Sequence, residues 1–262
     1  MIMHNKFLFV LFFGCCLATS IGVSAEHRFN FAINSPGSPP YLYLDNTTDS
    51  YMGLIPDILK EVSKQHAITI NYVDSNQQRI EVFLRAGKID GFFSSEAWLE
   101  NPNELIKSGN ITAHKSYLYS TRPFPQDFTL SDMKDSSICT LKHYVYPSAS
   151  ALLDNGSAQR IDSSERRSML NMLIKNRCQY TILHQYNADS LLNSVEFSNT
   201  HIFRSPIPSN VVSMAIFLRP ELADIKRHID SVVLQMQNNG KLDESINFHA
   251  NTNTYPSITE SK

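Results

Sequence analysis

Polar and aromatic side chains that could meet a ligand follow the apolar run at 89–93. Ser94, Ser95 and Glu96 come directly after this run. Trp98, the only tryptophan of the chain, follows two residues later. Hydroxyls and a carboxylate can bind a polar or cationic ligand, and an indole can form a stacking wall. Serine also caps helices, and a tryptophan also fills cores. We expect these four residues to line a binding site.

A second group of candidates lies in the segment "LKHYVYP" at 141–147, which follows another strand-like run. His143 and Tyr144 can donate hydrogen bonds to an anionic or hydroxylated ligand. The alternative is a solvated loop. We include both residues among the ligand-binding candidates.

Catalytic and metal-binding patterns are weak. Ser94 or Ser95 with His184 and Glu96 would make a conceivable triad, but no Gly-x-Ser-x-Gly elbow surrounds either serine. The histidines show no His-x-His or His-Glu-x-x-His spacing. We therefore assign no catalytic residue, metal or cofactor.

Strand and helix patterns alternate along the chain, which indicates an α/β fold with parallel strands joined by helical crossovers. In the first part, alternation or apolar runs predict strands and helical spacing predicts helices. These are strands at 28–34, 67–73 and 89–95 and helices at 53–66 and 77–88. A second unit has strands at 136–147 and 178–186 and helices at 147–156 and 164–177, and the chain then continues with a strand at 211–219 and a helix at 220–240.

Two Pro-bearing connectors, at 120–126 and 204–210, flank the second unit. They predict two lobes, with the second inserted into the first through two hinge segments. Lobe 1 would comprise residues 26–122 and 210–262, and lobe 2 residues 123–209. Ligands of open α/β sheets bind beyond the carboxyl ends of the strands, so two facing edges would form a cleft that closes on a small molecule.

The start of the chain predicts export. Residues 1–25 contain an apolar run after Lys6 and end in "VSA", which is typical of a cleaved signal peptide. Lipidation at Cys15 is the alternative. The formal net charge of −2 gives no indication of nucleic acid as a partner. We expect a periplasmic monomer.

Cys139 and Cys178 are the cysteines that remain after removal of the signal peptide. An even pair in an oxidising compartment favours a disulfide, with two buried thiols as the alternative. Each cysteine begins a strand-like run. If those strands are neighbours in a parallel sheet, the two Cα atoms should lie within the roughly 4.4–6.8 Å that a bridge requires.

The motifs "PPYLYLD", "GLIPDILKEV", "LRAGKIDGFF", "LNMLIKNRCQYTIL", "SMAIFLRPEL" and "NNGKLDES" occur in an order that resembles the periplasmic solute-binding proteins of the amino-acid type, the receptor subunits of ABC importers. The resemblance implies the two-lobed type II fold and a binder without catalysis that delivers its ligand to an ABC permease. It also implies that Tyr41 covers the ligand.

The ionic anchors that this family uses for α-amino acids are missing. The position of the carboxylate-binding Arg falls at about Pro102, and the position of the ammonium-binding acid falls at His184. We expect free amino acids to bind weakly, and His184 to be a ligand contact of another kind. If they bind tightly, Arg85 or Arg122 is the first candidate for a replacement clamp.

Three hypotheses for function follow. The leading one is periplasmic binding of a small polar solute. The second is a dehydratase-like lyase on the same scaffold, which uses Glu96 and His184. The third is a sensor module that reports its ligand to a membrane signalling protein.

Overall fold

The computed structural model describes residues 27–34, 37–76 and 79–251. The predicted signal peptide at 1–25 lies outside the described residues. The strands are β1 His27–Asn34, β2 Gly37–Ser38, β3 Leu42–Asp45, β4 Ser50–Met52, β5 Ile68–Ser75, β6 Gly91–Ser94, β7 Ile106–Lys107, β8 Thr112–Ser120, β9 Ser137–Leu141, β10 Gln159–Ser163, β11 Tyr180–His184, β12 Phe203–Arg204 and β13 Asn210–Leu218. The helices are α1 Leu54–His66, α2 Ile80–Arg85, α3 Ser150–Asp154, α4 Arg166–Ile174, α5 Gln185–Leu192, α6 Ala223–Asn238 and α7 Lys241–Ala250.

The first half of the main sheet has the predicted parallel order. Strand β1 pairs in parallel with both β5 and β6, and α1 and α2 are the crossovers. Helix α1 buries Leu54, Ile58 and Val62, which share one face because they lie four residues apart. This face packs with α6 and α7 in the hydrophobic core of the first half of the molecule.

Two long strands join the halves of the sheet. Asn210–Met214 of β13 pairs with Thr112–Ser116 of β8, and Ala215–Leu218 of β13 then pairs with β6. The remainder of β8 pairs with β11 and β12. The chain therefore passes between the halves within these paired antiparallel strands, and the Pro-bearing connectors at 120–126 and 204–210 adjoin the end of β8 and the start of β13. The lobe boundaries at 122/123 and 209/210 remain a prediction.

The second half of the sheet has the order β10-β9-β11-β8. Strands β9 and β11 are parallel neighbours, with Cys139 opposite Thr181. Cys139 and Cys178 form a disulfide, with their Cα atoms 5.7 Å apart. The predicted bridge is confirmed, and it lies in the buried core between the sheet and α4.

Some elements were not predicted. In the Pro- and Gly-rich segment after β1, strands β2, β3 and β4 form a small antiparallel sheet. Pro39 and Pro40 lie in the turn between β2 and β3, so the ladder needs no amide hydrogen from them. Strands β8 and β10 and helices α5 and α7 were also missed.

Helix α7 is the last element of the described chain. His249 is the penultimate residue of α7 and is buried. Its Nδ1 lies 3.0 Å from the Tyr43 hydroxyl and its Nε2 lies 3.1 Å from the Asp57 carboxylate. These contacts attach α7 to β3 of the small sheet and to α1, whereas residues 252–262 lie outside the described part. Within the described ranges, no helix has the length and apolar character needed to span a bilayer.

Candidate functional site

A cavity of about 350 Å³ lies between the two halves of the molecule. It is lined from the first half by β6 and the segments that follow β1 and β6, and from the second half by the loop after β9 and the end of β11. Several of the residues expected from the sequence line it: Tyr41, Ser94, Trp98, His143, Tyr144 and His184. The structure brings these six together, and their role as ligand contacts remains a proposal.

Ser95 and Glu96 do not line this cavity. The Ser95 carbonyl accepts the Trp98 amide N–H at 3.0 Å and begins the 3₁₀ turn Glu96–Trp98, but its hydroxyl makes no capping hydrogen bond to the turn. The Glu96 carboxylate is exposed and pairs with the Lys107 ammonium. The Glu96 carboxylate turns outward at the end of β6. Glu96 and His184 therefore do not come together in one site, as the lyase hypothesis would require.

His114 is a site residue that the sequence analysis missed. It lies on β8, and its ring stacks on that of His184, with the centroids 3.8 Å apart and the planes at 13°. Trp98 meets His114 edge to face at 5.0 Å. The segment "TAHKSYLYS" begins with polar residues, which hides the strand. Thr112 and His114 are half-buried and alternate with exposed Ala113 and Lys115, but the residue types at 112–115 show no apolar alternation, so no sequence pattern pointed to His114.

Both histidines of the stack are neutral near pH 7. Burial, and after it the charge of Arg166, lowers the pKa of His114 to about 3. Burial, followed by the charges of His114 and Arg166, holds the pKa of His184 well below its usual value. The Nδ1 atoms of both rings are buried without a hydrogen-bond partner. Protonation of either ring would place a positive charge in a desolvated position, so both rings stay uncharged.

Two hydrogen bonds connect the sides of the cavity. The Ser38 hydroxyl donates to the Asn187 side-chain oxygen at 2.7 Å. The Tyr41 hydroxyl shares a hydrogen bond of 3.2 Å with Nε2 of His184. Burial raises the pKa of Tyr41 above its usual range, so this phenol is also neutral. The two sides are therefore in direct contact across the cleft.

The charged residues of the cavity differ from those expected. Pro102, at the expected position of the carboxylate clamp, starts a 3₁₀ turn and does not line the cavity. Arg85 lines it, but its guanidinium lies 3.7 Å from the carboxylates of both Glu81 and Glu104. Arg122 is not a lining residue. Arg166, at the start of α4, is half-buried and lines the cavity, and nothing in the sequence pattern singled it out.

No group of three or more metal-ligating side chains comes together among residues 27–34, 37–76 and 79–251. The described cleft thus combines aromatic rings, the two neutral imidazoles of the stack, hydroxyls and amides with four charged side chains, those of Glu81, Arg85, Glu100 and Arg166.

No protein-family model matches the chain, and no curated protein matches it. Solved structures do. A histidine kinase sensor domain with similarity to periplasmic binding proteins superposes with a TM-score of 0.69 at 12% identity, over 86% of this chain and 96% of that chain.

Two transport-related structures are also similar. The substrate-binding protein of an amino-acid ABC transporter has a TM-score of 0.66 at 14% identity, over 85% of this chain and 98% of that chain. AbpA from Streptococcus pneumoniae, an amino-acid ABC transporter substrate-binding protein bound to L-arginine, has a TM-score of 0.66 at 13% identity, over 85% and 94%. The predicted fold is confirmed: the chain has the two-lobed type II fold of the periplasmic solute-binding proteins of the amino-acid type.

Proposed function

We propose that the protein binds one small solute in the cavity between its lobes, without transforming it. The observation that carries this proposal is the cavity of about 350 Å³, which has walls from both halves of the sheet. This volume is in the range of small-molecule sites, and the lining combines apolar rings with a few polar groups, as such sites do. The hydrogen bonds from Ser38 to Asn187 and between Tyr41 and His184 support a form in which the lobes enclose the ligand.

A binder without catalysis fits the titratable groups better than a lyase does. General acid–base catalysis needs a group that exchanges protons near the working pH. His114, His184 and Tyr41 have pKa values displaced away from neutrality, in the direction that keeps each of them uncharged. Such groups serve as fixed hydrogen-bonding and stacking surfaces. We therefore propose seven cavity residues as ligand contacts: the predicted Tyr41, Ser94, Trp98, His143, Tyr144 and His184, together with His114.

The destination of the ligand has two candidates. Delivery to an ABC permease is favoured by the similarity to the transporter substrate-binding proteins, and sensing for a membrane signalling protein is favoured by the similarity to the histidine kinase sensor domain. Of these two roles, we propose delivery of the ligand to an ABC permease as the leading one. The Cys139–Cys178 disulfide supports an oxidising compartment such as the periplasm for either role.

The experiment that tests solute binding is native mass spectrometry of the folded protein, with identification of small molecules released on denaturation. A stoichiometric solute is expected, and its loss from Trp98→Ala and His114→Ala variants would place it in the cavity. Absence of any bound or bindable solute, in a screen that follows Trp98 fluorescence, would contradict the proposal.

A further inference from the structure

The acids of the cavity are poorly placed to hold an ammonium group. The lining contains Glu81 and Glu100. The Glu81 carboxylate accepts the backbone N–H groups of Glu100 at 3.0 Å and Asn101 at 3.3 Å, and it also lies beside the Arg85 guanidinium. Glu100 itself is exposed. The Glu81 carboxylate is largely buried, with 13% of its side chain exposed, but its contacts with Arg85 and the two backbone N–H groups already compensate the charge. The exposed carboxylate of Glu100 attracts a cation only weakly through water. Neither acid is therefore an available anchor for an ammonium group.

Arg166 places a guanidinium, with its five N–H donors, in the wall of the cavity. It is half-buried and lines both this cavity and an adjacent one of about 200 Å³, which shares Asn34, Ser38, Tyr41, Phe93, Tyr144 and Arg166 with the first. Its guanidinium carbon lies 6.0 Å from the centre of the Tyr144 ring. The charge of Arg166 contributes to the lowered pKa values of His114 and His184. An anionic group is therefore favoured there, and a cationic one is disfavoured.

The remaining wall of the cavity consists of rings. Tyr41 lies 5.5 Å from Phe93 and 5.4 Å from His184, measured between ring centres. The stacked pair of imidazoles continues this wall toward Trp98. Flat, uncharged faces of this kind favour a planar ligand. The cavity volume of about 350 Å³ is at the small end for ligand sites, which fits a single ring with a short substituent.

We propose that the cleft selects a small aromatic monocarboxylate that carries no ammonium group, with the Arg166 guanidinium meeting the carboxylate and the Tyr41–His184–His114–Trp98 wall receiving the ring. This inference rests on the proposed solute binding at the same site. It differs from binding of an α-amino acid because Glu81 is already compensated by its contacts and Glu100 is exposed, and because the position of an ammonium anchor holds His184, a neutral imidazole. Arg presents a planar fork that matches a carboxylate in two hydrogen bonds.

Three molecules of nearly equal shape provide the test: benzoate, benzamide and benzamidine, which are anionic, neutral and cationic at pH 7. Titration of the mature protein, followed by calorimetry and Trp98 fluorescence, measures their dissociation constants. We expect benzoate to bind at least 10-fold more tightly than benzamide, in line with the strength of charge-assisted hydrogen bonds, and benzamidine and L-arginine not to bind. Benzamidine or L-arginine binding more tightly than benzoate would overturn the inference, as would failure of benzoate to bind.

A pair of adjacent arginines provides matched variants. Arg166→Gln should reduce benzoate affinity at least 10-fold, to the level of benzamide, while the affinity for benzamide itself stays unchanged. Arg167→Gln is the control, because Arg167 is exposed and pairs with Glu196 on the surface. It should bind all three molecules as the unmodified protein does. Equal benzoate binding by the Arg166→Gln variant, with its circular dichroism preserved, would overturn the assignment of Arg166.

Failure of this inference is distinguishable from failure of solute binding. If native mass spectrometry finds a bound solute that is zwitterionic or cationic, the site binds solutes and the aromatic monocarboxylate class is wrong. If no solute binds in either experiment, both proposals fail.

Discussion

The rings of His114 and His184 lie face to face, 3.8 Å between centres, although 70 residues of chain separate them. His114 belongs to β8, the strand that carries the chain from one half of the sheet to the other, and His184 ends β11. The stack therefore lies close to the point where the chain passes between the two halves of the sheet. Neither Nδ1 atom has a hydrogen-bond partner. Protonation of either neutral ring would therefore add a buried charge without a partner, which costs folding free energy.

We expect the free energy of unfolding to fall as the pH decreases from 6.5 toward 3. An unfolded histidine takes up a proton near pH 6.5, whereas His114 in the folded protein does so at about 3. Between these values the unfolded state binds more protons, so stability is lost on acidification, by up to about 1.4 kcal/mol per pH unit for each such imidazole. Urea unfolding at several pH values measures this slope.

The contribution of the stack is isolated by substitution. His114→Gln should flatten the slope between pH 6 and 4, because the variant has one proton-binding group fewer in the unfolded state. Exposed His201 gives the control, and His201→Gln should leave the wild-type slope almost unchanged. If His114→Gln leaves the slope as it was, the imidazole is not held neutral by its surroundings.

The disulfide should contribute substantially to stability. Cys139 and Cys178 are 39 residues apart in sequence, and a bridge that closes a loop of this length stabilises by about 3–4 kcal/mol in the chain-entropy model. The double variant Cys139→Ala with Cys178→Ala should lose this amount in guanidinium unfolding and should keep its ligand affinity, since neither cysteine lines the cavity. A loss below about 1 kcal/mol would contradict the entropic account.

Free α-amino acids should bind weakly. Each charge-assisted hydrogen bond that is lost with an ionic anchor is worth about 1.5–3 kcal/mol, and the ammonium position holds His184. Calorimetric titration with L-glutamate, L-glutamine and L-arginine is expected to give no sub-micromolar dissociation constant. Tight binding of any of them would show that Arg166 or Arg85 acts together with an acid, Glu100 being the first to substitute.

The parts of the fold that the sequence predicted are those where one pattern dominates. The apolar run ending at Ser94 and the spacing of Leu54, Ile58 and Val62 leave little choice of structure, and the position of Cys178 relative to Cys139 follows from two neighbouring parallel strands. Strand β8 was missed because its first half, at the crossing between lobes, is exposed on one side and carries polar residues.

Six of the predicted site residues line the cavity, and most of them lie at or just beyond the end of a strand: Tyr41, Ser94, Trp98, His143, Tyr144 and His184. Glu96, predicted with them, does not line it, because a side chain two residues beyond a strand takes its direction from the following turn, which sequence alone does not specify. Arg166 and His114 come from elements that meet the cavity only through the packing of one half against the other.

Trp98 should report on ligand binding. It is half-buried, lines the cavity and meets His114 edge to face at 5.0 Å. A ligand that enters the cavity excludes water from the indole, so its fluorescence should change on binding. Trp98→Ala should weaken binding by roughly 1–3 kcal/mol, as for truncated aromatic anchors, and should leave the fold intact.

A core tryptophan would behave differently: its truncation costs about 3–5 kcal/mol of folding stability and leaves affinity almost unchanged in the folded fraction. Urea unfolding and calorimetric titration of the same variant distinguish the two. Because neither Trp98 nor its turn, Glu96–Trp98, is fully buried, we expect the loss to appear in affinity.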